Sequence, residues 1–125
     1  MKILLDTHVL LWSMQALDTV REDARQAICS NNNIVFASIS SLWEISIKSS
    51  LGKLTLPPNF FTSFSSHGYE LLPITLDHIQ TLRRLPHHHR DPFDRMLVAQ
   101  AQWEQLLLVT RDEEIKKYEV GLLPA

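Results

Sequence analysis

The stretch KILLD at residues 2–6 decides the fold, because it is a continuous apolar run that ends abruptly on an acid. Such a run is typical of a central strand in a parallel sheet, which helices cover on both faces. Further strands are predicted at residues 34–38 (IVFAS), 70–75 (ELLPIT) and 106–110 (LLLVT), with a short fifth near Val120–Leu123. Pro73 places the 70–75 strand toward an edge of the sheet, since proline cannot donate to a central ladder.

Helical patterns fall between these strands. Thr19 and Glu22 fit a capping box that opens a helix to about Asn31. Apolar spacing predicts further helices at 41–51, 77–85 and 92–105. Gly52 ends the first of these, and Asp91–Pro92 opens the last. Another helix is expected to start between Pro57–Pro58 and the phenylalanines that follow. Strands that alternate with helices predict an α/β sandwich around a mostly parallel sheet.

Composition limits the class of protein. A chain of 125 residues, 45% hydrophobic and 21% charged, is one globular domain spanning 1–125. A net charge of −2 argues against a protein that coats polyanions, and the single cysteine, Cys29, excludes a disulfide framework. No apolar run approaches the roughly 18 residues of a membrane span, and Asp6 interrupts the N-terminal run too early for a secretory signal. We therefore expect a cytoplasmic protein without a membrane partner.

Four acids stand where the predicted elements change type. Asp6 ends the first strand, Glu44 lies in the first turn of the 41–51 helix, Asp94 opens the last helix, and Asp112 follows the fourth strand by two residues. Ligands bind at the carboxyl ends of parallel strands, so these acids are expected near one edge. Crowded carboxylates repel one another unless a cation lies between them, and Mg²⁺ or Mn²⁺ is the natural choice for oxygen ligands.

Each acid taken alone also has a structural interpretation. Asp6 fits the cap of a helix that begins at Thr7, and Ser41 with Glu44 fits a capping box. Asp91 fits an N-cap before Pro92, with Asp94 a favourable acid in the first turn, and Asp112 with Glu113 fits the acidic first turn of a helix through Ile115. These interpretations stay open for single residues and are weaker for the four together.

Several phosphate chemistries are disfavoured by what surrounds these acids. Asp6 is not followed by a second acid two residues later, as an Asp-x-Asp phosphatase requires. Glycines occur only at positions 52, 68 and 121, so there is no glycine-rich phosphate loop, and no G-x-S-x-G elbow is present. No lysine follows the fourth strand, which weakens a phospho-receiver interpretation.

Four segments, in order, resemble the PIN-domain ribonucleases, and in particular the VapC toxins of VapBC toxin–antitoxin pairs. They are LLDTHVLLW (4–12), SSLWEISIK (40–48), HRDPFDRMLVAQA (89–101) and LVTRDEEI (108–115). The resemblance implies an α/β/α sandwich with a parallel sheet of about five strands. It also implies Mg²⁺- or Mn²⁺-dependent hydrolysis of RNA phosphodiester bonds with metal-activated water.

The resemblance also implies roles for single residues. Asp6 and Asp94 match the principal metal ligands, Glu44 and Asp112 match the acids that complete the site, and Thr110 matches a hydroxyl position just before the fourth acid. Thr7, directly after Asp6, and Asp91, in the RDPFD segment, are secondary candidates; the latter is a ligand, a supporting group or only a cap. The family further implies a homodimer and an antitoxin that docks near the catalytic groove.

Other side chains carry weaker signals. The run His87–His89 fits a surface loop better than a zinc site, because no acid or cysteine has ligand spacing to it. Core or interface packing is the favoured interpretation of Trp12, Trp43 and Trp103. Four bases lie close to the acids in sequence and are candidate RNA contacts: Lys48, Arg90, Arg95 and Arg111. Setting the four acids aside leaves 10 acidic against 12 basic residues, which predicts weak RNA binding without cations.

Two other functions compete with a ribonuclease. A noncatalytic module would use the same acids for metal-supported stability or RNA or protein binding, although retention of all four disfavours it. A DNA-directed nuclease of related fold usually carries extra helices, for which 125 residues leave little room.

Overall fold

Five strands form a single sheet in the computed structural model, which describes residues 1–125. They are β1 (Lys2–Leu5), β2 (Ile34–Ser38), β3 (Glu70–Leu72), β4 (Leu107–Thr110) and β5 (Leu122–Pro124). The spatial order is β3-β2-β1-β4-β5, and every neighbouring pair is parallel. The predicted α/β fold is therefore confirmed, and β3 is an edge strand as predicted, although it ends at Leu72 and not at residue 75.

Six α-helices connect these strands. They are α1 (Thr7–Gln15), α2 (Glu22–Cys29), α3 (Ile39–Ser50), α4 (Phe60–Ser63), α5 (Leu76–Arg84) and α6 (Pro92–Glu104), with 3₁₀ turns at Leu17–Thr19, Phe64–His67 and Ile115–Lys117. None of them has the length and apolar character that crossing a membrane requires.

The sheet separates two hydrophobic cores, which makes the three layers. Successive side chains of β1 point to opposite faces. Ile3 and Leu5 pack with α1, α2 and α3, whereas Leu4 packs with buried residues of α6 such as Leu97 and Val98. Since both faces are covered, β1 lies at the centre of the molecule, and its carboxyl end is held rigidly.

Two predicted capping boxes are wrong. Helix α2 begins only at Glu22, and Thr19 belongs to the preceding 3₁₀ turn and does not cap the helix. Helix α3 begins at Ile39, two residues before Ser41, because Ser38 at the end of β2 caps it by accepting from the backbone N–H of Ser40 (3.0 Å). Glu44 therefore lies in the second turn of α3, not the first. Gly52, with φ of +74°, follows the end of α3 as predicted.

Candidate functional site

Asp6 lies where the carboxyl ends of the two central strands meet. It follows β1 directly and caps α1, because its Oδ1 accepts a hydrogen bond from the backbone N–H of Val9 (2.8 Å). Its Oδ2 accepts from the hydroxyl of Thr110, at the end of β4. Burial raises the pKa of Asp6 above its usual value, although the hydrogen bonds from Thr110 and Val9 act in the opposite direction. The carboxylate is thus oriented from both strands.

Asp112 is tied to the same hydroxyl group. Its backbone N–H donates to Thr110 Oγ1 (3.0 Å), and its Oδ1 accepts from the N–H groups of Glu114 (2.7 Å) and Ile115 (3.1 Å). Burial alone would raise the pKa of Asp112, but hydrogen bonds from His89 and from these two amides outweigh it and hold the pKa below its usual value. Asp112 therefore also caps the turn that it opens, as its local sequence allowed.

Glu44 reaches the site from α3 and is buried. Its Oε1 accepts from the hydroxyl of Thr7 (2.8 Å), which also lies 3.0 Å from Ser41 Oγ. Its Oε2 lies 2.9 Å from Lys48 Nζ, one helical turn later. The hydrogen bond to Glu44 raises the pKa of Lys48. Lys48 is therefore the ammonium partner of buried Glu44, the one acid on α3.

Asp94, in the first turn of α6, has a strongly perturbed carboxyl group. Burial raises its pKa to about 7, with further contributions from the negative charges of Asp91, Glu44 and Asp6, while His89 acts in the opposite direction. The charge coupling shows that these acids share one low-dielectric region. Asp6 is coupled to Asp112 in the same way.

Asp91 has a clear structural role. Its Oδ1 accepts from the backbone N–H of Phe93 (2.8 Å) and more weakly from that of Asp94 (3.4 Å), so it is the N-cap of α6, followed by Pro92. The capping interpretation of Asp91 is confirmed. The same carboxylate adds to the negative potential at Asp94.

His89 enters the site from the loop before α6. Its Nε2 lies 3.2 Å from Asp94 Oδ2 and 3.1 Å from Asp112 Oδ2. One potential ligand atom from each of these three residues falls within 4.8 Å of the others. The expectation that no acid lies near the histidine run is wrong for His89, because the loop folds back over the site. The sequence signal that could have identified His89 was its position two residues before Asp91, the N-cap of α6.

The predicted RNA-contact bases differ in how much of their charge is engaged. Arg95 donates to the carbonyl of Pro86 (2.9 Å) and to the hydroxyl of Tyr118 (3.2 Å). Arg111 donates to the carbonyls of Thr19 (2.8 Å) and Ala125 (2.7 Å) and lies 4.3 Å above the ring of Trp12. Both arginines therefore support the fold. Arg90 is exposed beside the site.

Of the two predicted environments, core or interface, the core is wrong for two of the three tryptophans. Trp43 and Trp103 are 58% and 52% exposed. Trp43 meets Phe93 edge-on at 5.0 Å and belongs to an exposed row on α3, with Ile39 and Ile47 one turn to either side. The interface interpretation of these residues stays a prediction.

The donor set of this acidic site, defined by Asp6, Glu44, Asp94 and Asp112, is dominated by carboxylate oxygens. Mg²⁺ and Mn²⁺ prefer such ligands. Lys48 and His89 alone lie within ion-pair distance of these acids, and the pKa of Asp94 is raised first by burial and then by the neighbouring negative charges. The residues present therefore fit a hard divalent cation.

Comparisons with known proteins agree with this geometry. The family model of the PIN domain matches residues 3–121. A VapBC2 structure from Rickettsia felis, bound to a promoter DNA fragment, is similar with a TM-score of 0.76 and 14% identity, covering 99% of this chain and 98% of that one. A toxin–antitoxin complex from Klebsiella pneumoniae gives a TM-score of 0.63 and 20% identity over 97% and 95%. VapBC-5 from Mycobacterium tuberculosis gives 0.60 and 15% over 98% and 96%. No curated protein sequence matches.

Proposed function

Because the chain belongs to the PIN-domain family, we propose that it is a metal-dependent endoribonuclease and the toxin of a toxin–antitoxin pair. One observation carries the proposal: buried carboxylates are gathered at the carboxyl edge of a parallel sheet, in excess of the cations beside them. Such an excess destabilises the fold unless another cation binds, so a functional reason for keeping it is expected.

Asp6 and Asp94 are the proposed principal ligands, with Glu44 and Asp112 completing the site directly or through water. When bound, Mg²⁺ or Mn²⁺ stabilises charge on a phosphoryl oxygen and lowers the pKa of water. The Thr110 hydroxyl orients Asp6, and the Thr7 hydroxyl orients Glu44. Each of these hydroxyl groups engages one oxygen of its carboxylate and so fixes how that carboxylate is oriented.

RNA phosphates would approach this edge of the sheet. Arg90 is exposed beside the site, and Lys48 keeps 43% of its side chain accessible while it contacts Glu44. Both can neutralise part of a phosphate's charge at the rim. Arg95 and Arg111 remain candidate RNA contacts, but only through guanidinium N–H groups that do not already donate to backbone carbonyls.

The proposed protein partner is an antitoxin, and a homodimer is the proposed assembly. The similar solved structure from Klebsiella pneumoniae is described as a toxin–antitoxin complex, and VapBC-5 from Mycobacterium tuberculosis is described as a member of a family of toxin–antitoxin systems. The exposed row on α3, which includes Trp43, is apolar surface of the kind that protein partners cover. The cytoplasm is the expected location, since such a pair acts on cellular RNA there.

The test is cleavage of a labelled, structured RNA by protein freed of metal and then supplied with Mg²⁺ or Mn²⁺. Wild-type protein should cleave only with metal, and Asp6→Asn plus Asp94→Asn should lose at least about 10²–10³-fold in rate. Asp18→Asn plus Asp77→Asn, two exposed acids away from the site, is the matched control. Full activity in the Asp6/Asp94 double variant would refute the assignment.

Matched RNA and DNA substrates separate the proposal from its rivals. Preferential cleavage of DNA would indicate the related DNA-directed nuclease. Metal-dependent stabilisation without turnover on any substrate would indicate a noncatalytic module. Mapping the cleaved ends of cellular RNA after expression would then identify the target.

A further inference from the structure

We infer that His89 is a positioning residue of the acidic site: its ring donates a hydrogen bond to Asp112, lies beside Asp94 and is not itself a metal ligand. The inference rests on the proposed metal site. It concerns a side chain that the four-acid pattern does not include, and it follows from hydrogen bonds on both sides of the ring.

The hydrogen bonds of the ring determine which nitrogen carries its proton. Nδ1 accepts from the backbone N–H of Asp91 (3.0 Å), so Nδ1 has no hydrogen of its own. A neutral imidazole carries one N–H, which must then be on Nε2. Nε2 is the atom that lies between Asp94 Oδ2 and Asp112 Oδ2. A nitrogen that holds a hydrogen in the ring plane has no lone pair to give a metal, so the ring donates to Asp112 Oδ2.

The loop that delivers the ring is held in place by its own contacts. The backbone N–H of His89 donates to the hydroxyl of Tyr118 (3.0 Å), and Arg95 donates to the same hydroxyl and to the carbonyl of Pro86. The side chain of His89 is only 13% exposed. Turning the ring over would break the bond from Asp91 and put Cε1 in the place of Nε2 beside the acids, so the fold favours the donor orientation.

The donor orientation explains how two mutually repelling acids keep a fixed geometry without metal. Asp112 Oδ1 is occupied by backbone amides, and its Oδ2 lies beside His89. Asp94 Oδ2 lies 3.2 Å from the same nitrogen, close enough for electrostatic attraction. A ring N–H placed beside both carboxylates partly offsets their repulsion, and its hydrogen bond fixes the direction in which Asp112 presents its oxygens.

The first experiment measures Mn²⁺ affinity by calorimetry on the whole protein. His89→Ala should weaken Mn²⁺ binding by about 10–100-fold, the usual cost of removing a group that orients a ligand. His89→Gln, which retains an N–H donor near the position of Nε2, should recover most of that loss. His87→Ala, an exposed neighbour in the same loop, is the control and should bind as wild type does.

Each outcome has a definite meaning. Wild-type affinity in His89→Ala would overturn the inference while leaving the proposed function intact. Equal losses in the Ala and Gln variants would also overturn it, since they indicate a direct ligand. Failure of the wild-type protein itself to bind Mn²⁺ or Mg²⁺ would overturn the proposed function first.

The second experiment reads the ring directly in the wild-type protein and uses a variant only to assign its signals. In ¹⁵N-labelled wild-type protein, the His89 ring signals are assigned by their absence from the His89→Gln spectrum. On saturation with Mg²⁺, the ring should keep its proton on Nε2. A proton found on Nδ1, with Nε2 shifted by metal coordination, would overturn the inference.

Discussion

The molecule contains two buried polar regions, and they are built in opposite ways. In the paired network, Gln100 Oε1 accepts from the hydroxyl of Ser38 (2.6 Å), and its Nε2 donates to the carbonyl of Pro73 (3.3 Å). The imidazole of His78 accepts from the backbone N–H of Thr75 (3.0 Å) and contacts Glu104 (2.7 Å). In the acidic site, by contrast, carboxylates face one another, and the pKa of Asp94 is raised to about 7.

The difference separates polar groups that stabilise the fold from polar groups that the fold merely tolerates. The paired network joins the end of β2 to α5 and α6, and its donors meet acceptors. The acidic site lowers stability because its charges are like and partly desolvated. Burial alone therefore does not mark the functional region; unbalanced charge does.

The largest expected effect of the three variants below on stability is at Gln100. Gln100→Ala leaves the Ser38 hydroxyl and the Pro73 carbonyl without their buried partner, so the free energy of unfolding should fall by about 3 kcal/mol. Urea denaturation measures this loss. Gln102→Ala on the same helix, whose side chain makes one exposed hydrogen bond, is the control. A change below about 1 kcal/mol would show that the network contributes little.

A smaller effect of opposite sign is expected at Asp94 in metal-free protein. Because folding raises the pKa of Asp94 from 3.8 to about 7, its favourable contribution is fully present below pH 3.8 and is lost as pH rises through about 7. Asp94→Asn avoids this loss. At pH 8 in EDTA, the variant should be more stable than wild type by about 2 kcal/mol, and the difference should shrink toward pH 4.

Metal addition and a control sharpen this second test. Saturating Mn²⁺ should stabilise the wild-type protein more than Asp94→Asn, which reverses their order. Asp77→Asn, an exposed acid in the first turn of α5, should show neither effect. If Asp94→Asn were less stable than wild type at pH 8 without metal, the view that like charge strains this site would be wrong.

The smallest effect is expected at Lys48. Lys48→Met removes the ammonium group 2.9 Å from buried Glu44, so the metal-free protein should lose about 1 kcal/mol. A bound cation would replace part of that charge, and the loss should be smaller in Mn²⁺. Lys116→Met, which breaks an exposed pair with Glu113, should cost less than about 0.5 kcal/mol in either condition. Equal losses of stability in the two variants would show that the Lys48–Glu44 pair stabilises the protein no more than an exposed ion pair does.

Sequence patterns predicted the strands well, because a buried parallel strand must be a continuous apolar run. The run at 2–6 and its observed counterpart Lys2–Leu5 differ only in the acid that ends the strand. The topology of a parallel sheet then accounts for why Asp6 and Asp112 lie at one edge. The α6 cap at Asp91 was also visible locally, because Pro92 follows it directly.

Features that depend on distant contacts were not predictable. His89 meets Asp112 across 23 residues, and Arg95 folds back onto the carbonyl of Pro86. Nothing in the spacing of HHHR indicates that one imidazole turns inward and the others do not. The start of α3 was misplaced for a different reason: Ser38, Ser40 and Ser41 all suit an N-cap, and only the end of β2 selects the first.

The hydrogen bond between Asp6 and Thr110 spans 104 positions of the chain and has a consequence for synthesis. A polypeptide leaving the ribosome presents β1 early, but β1 has no partner on its β4 side until residues 107–110 emerge. Until then Asp6 lacks its hydroxyl donor and Asp112 has not been made. The nascent chain therefore passes through most of its translation without an assembled site, so the proposed activity can begin only after the central sheet closes.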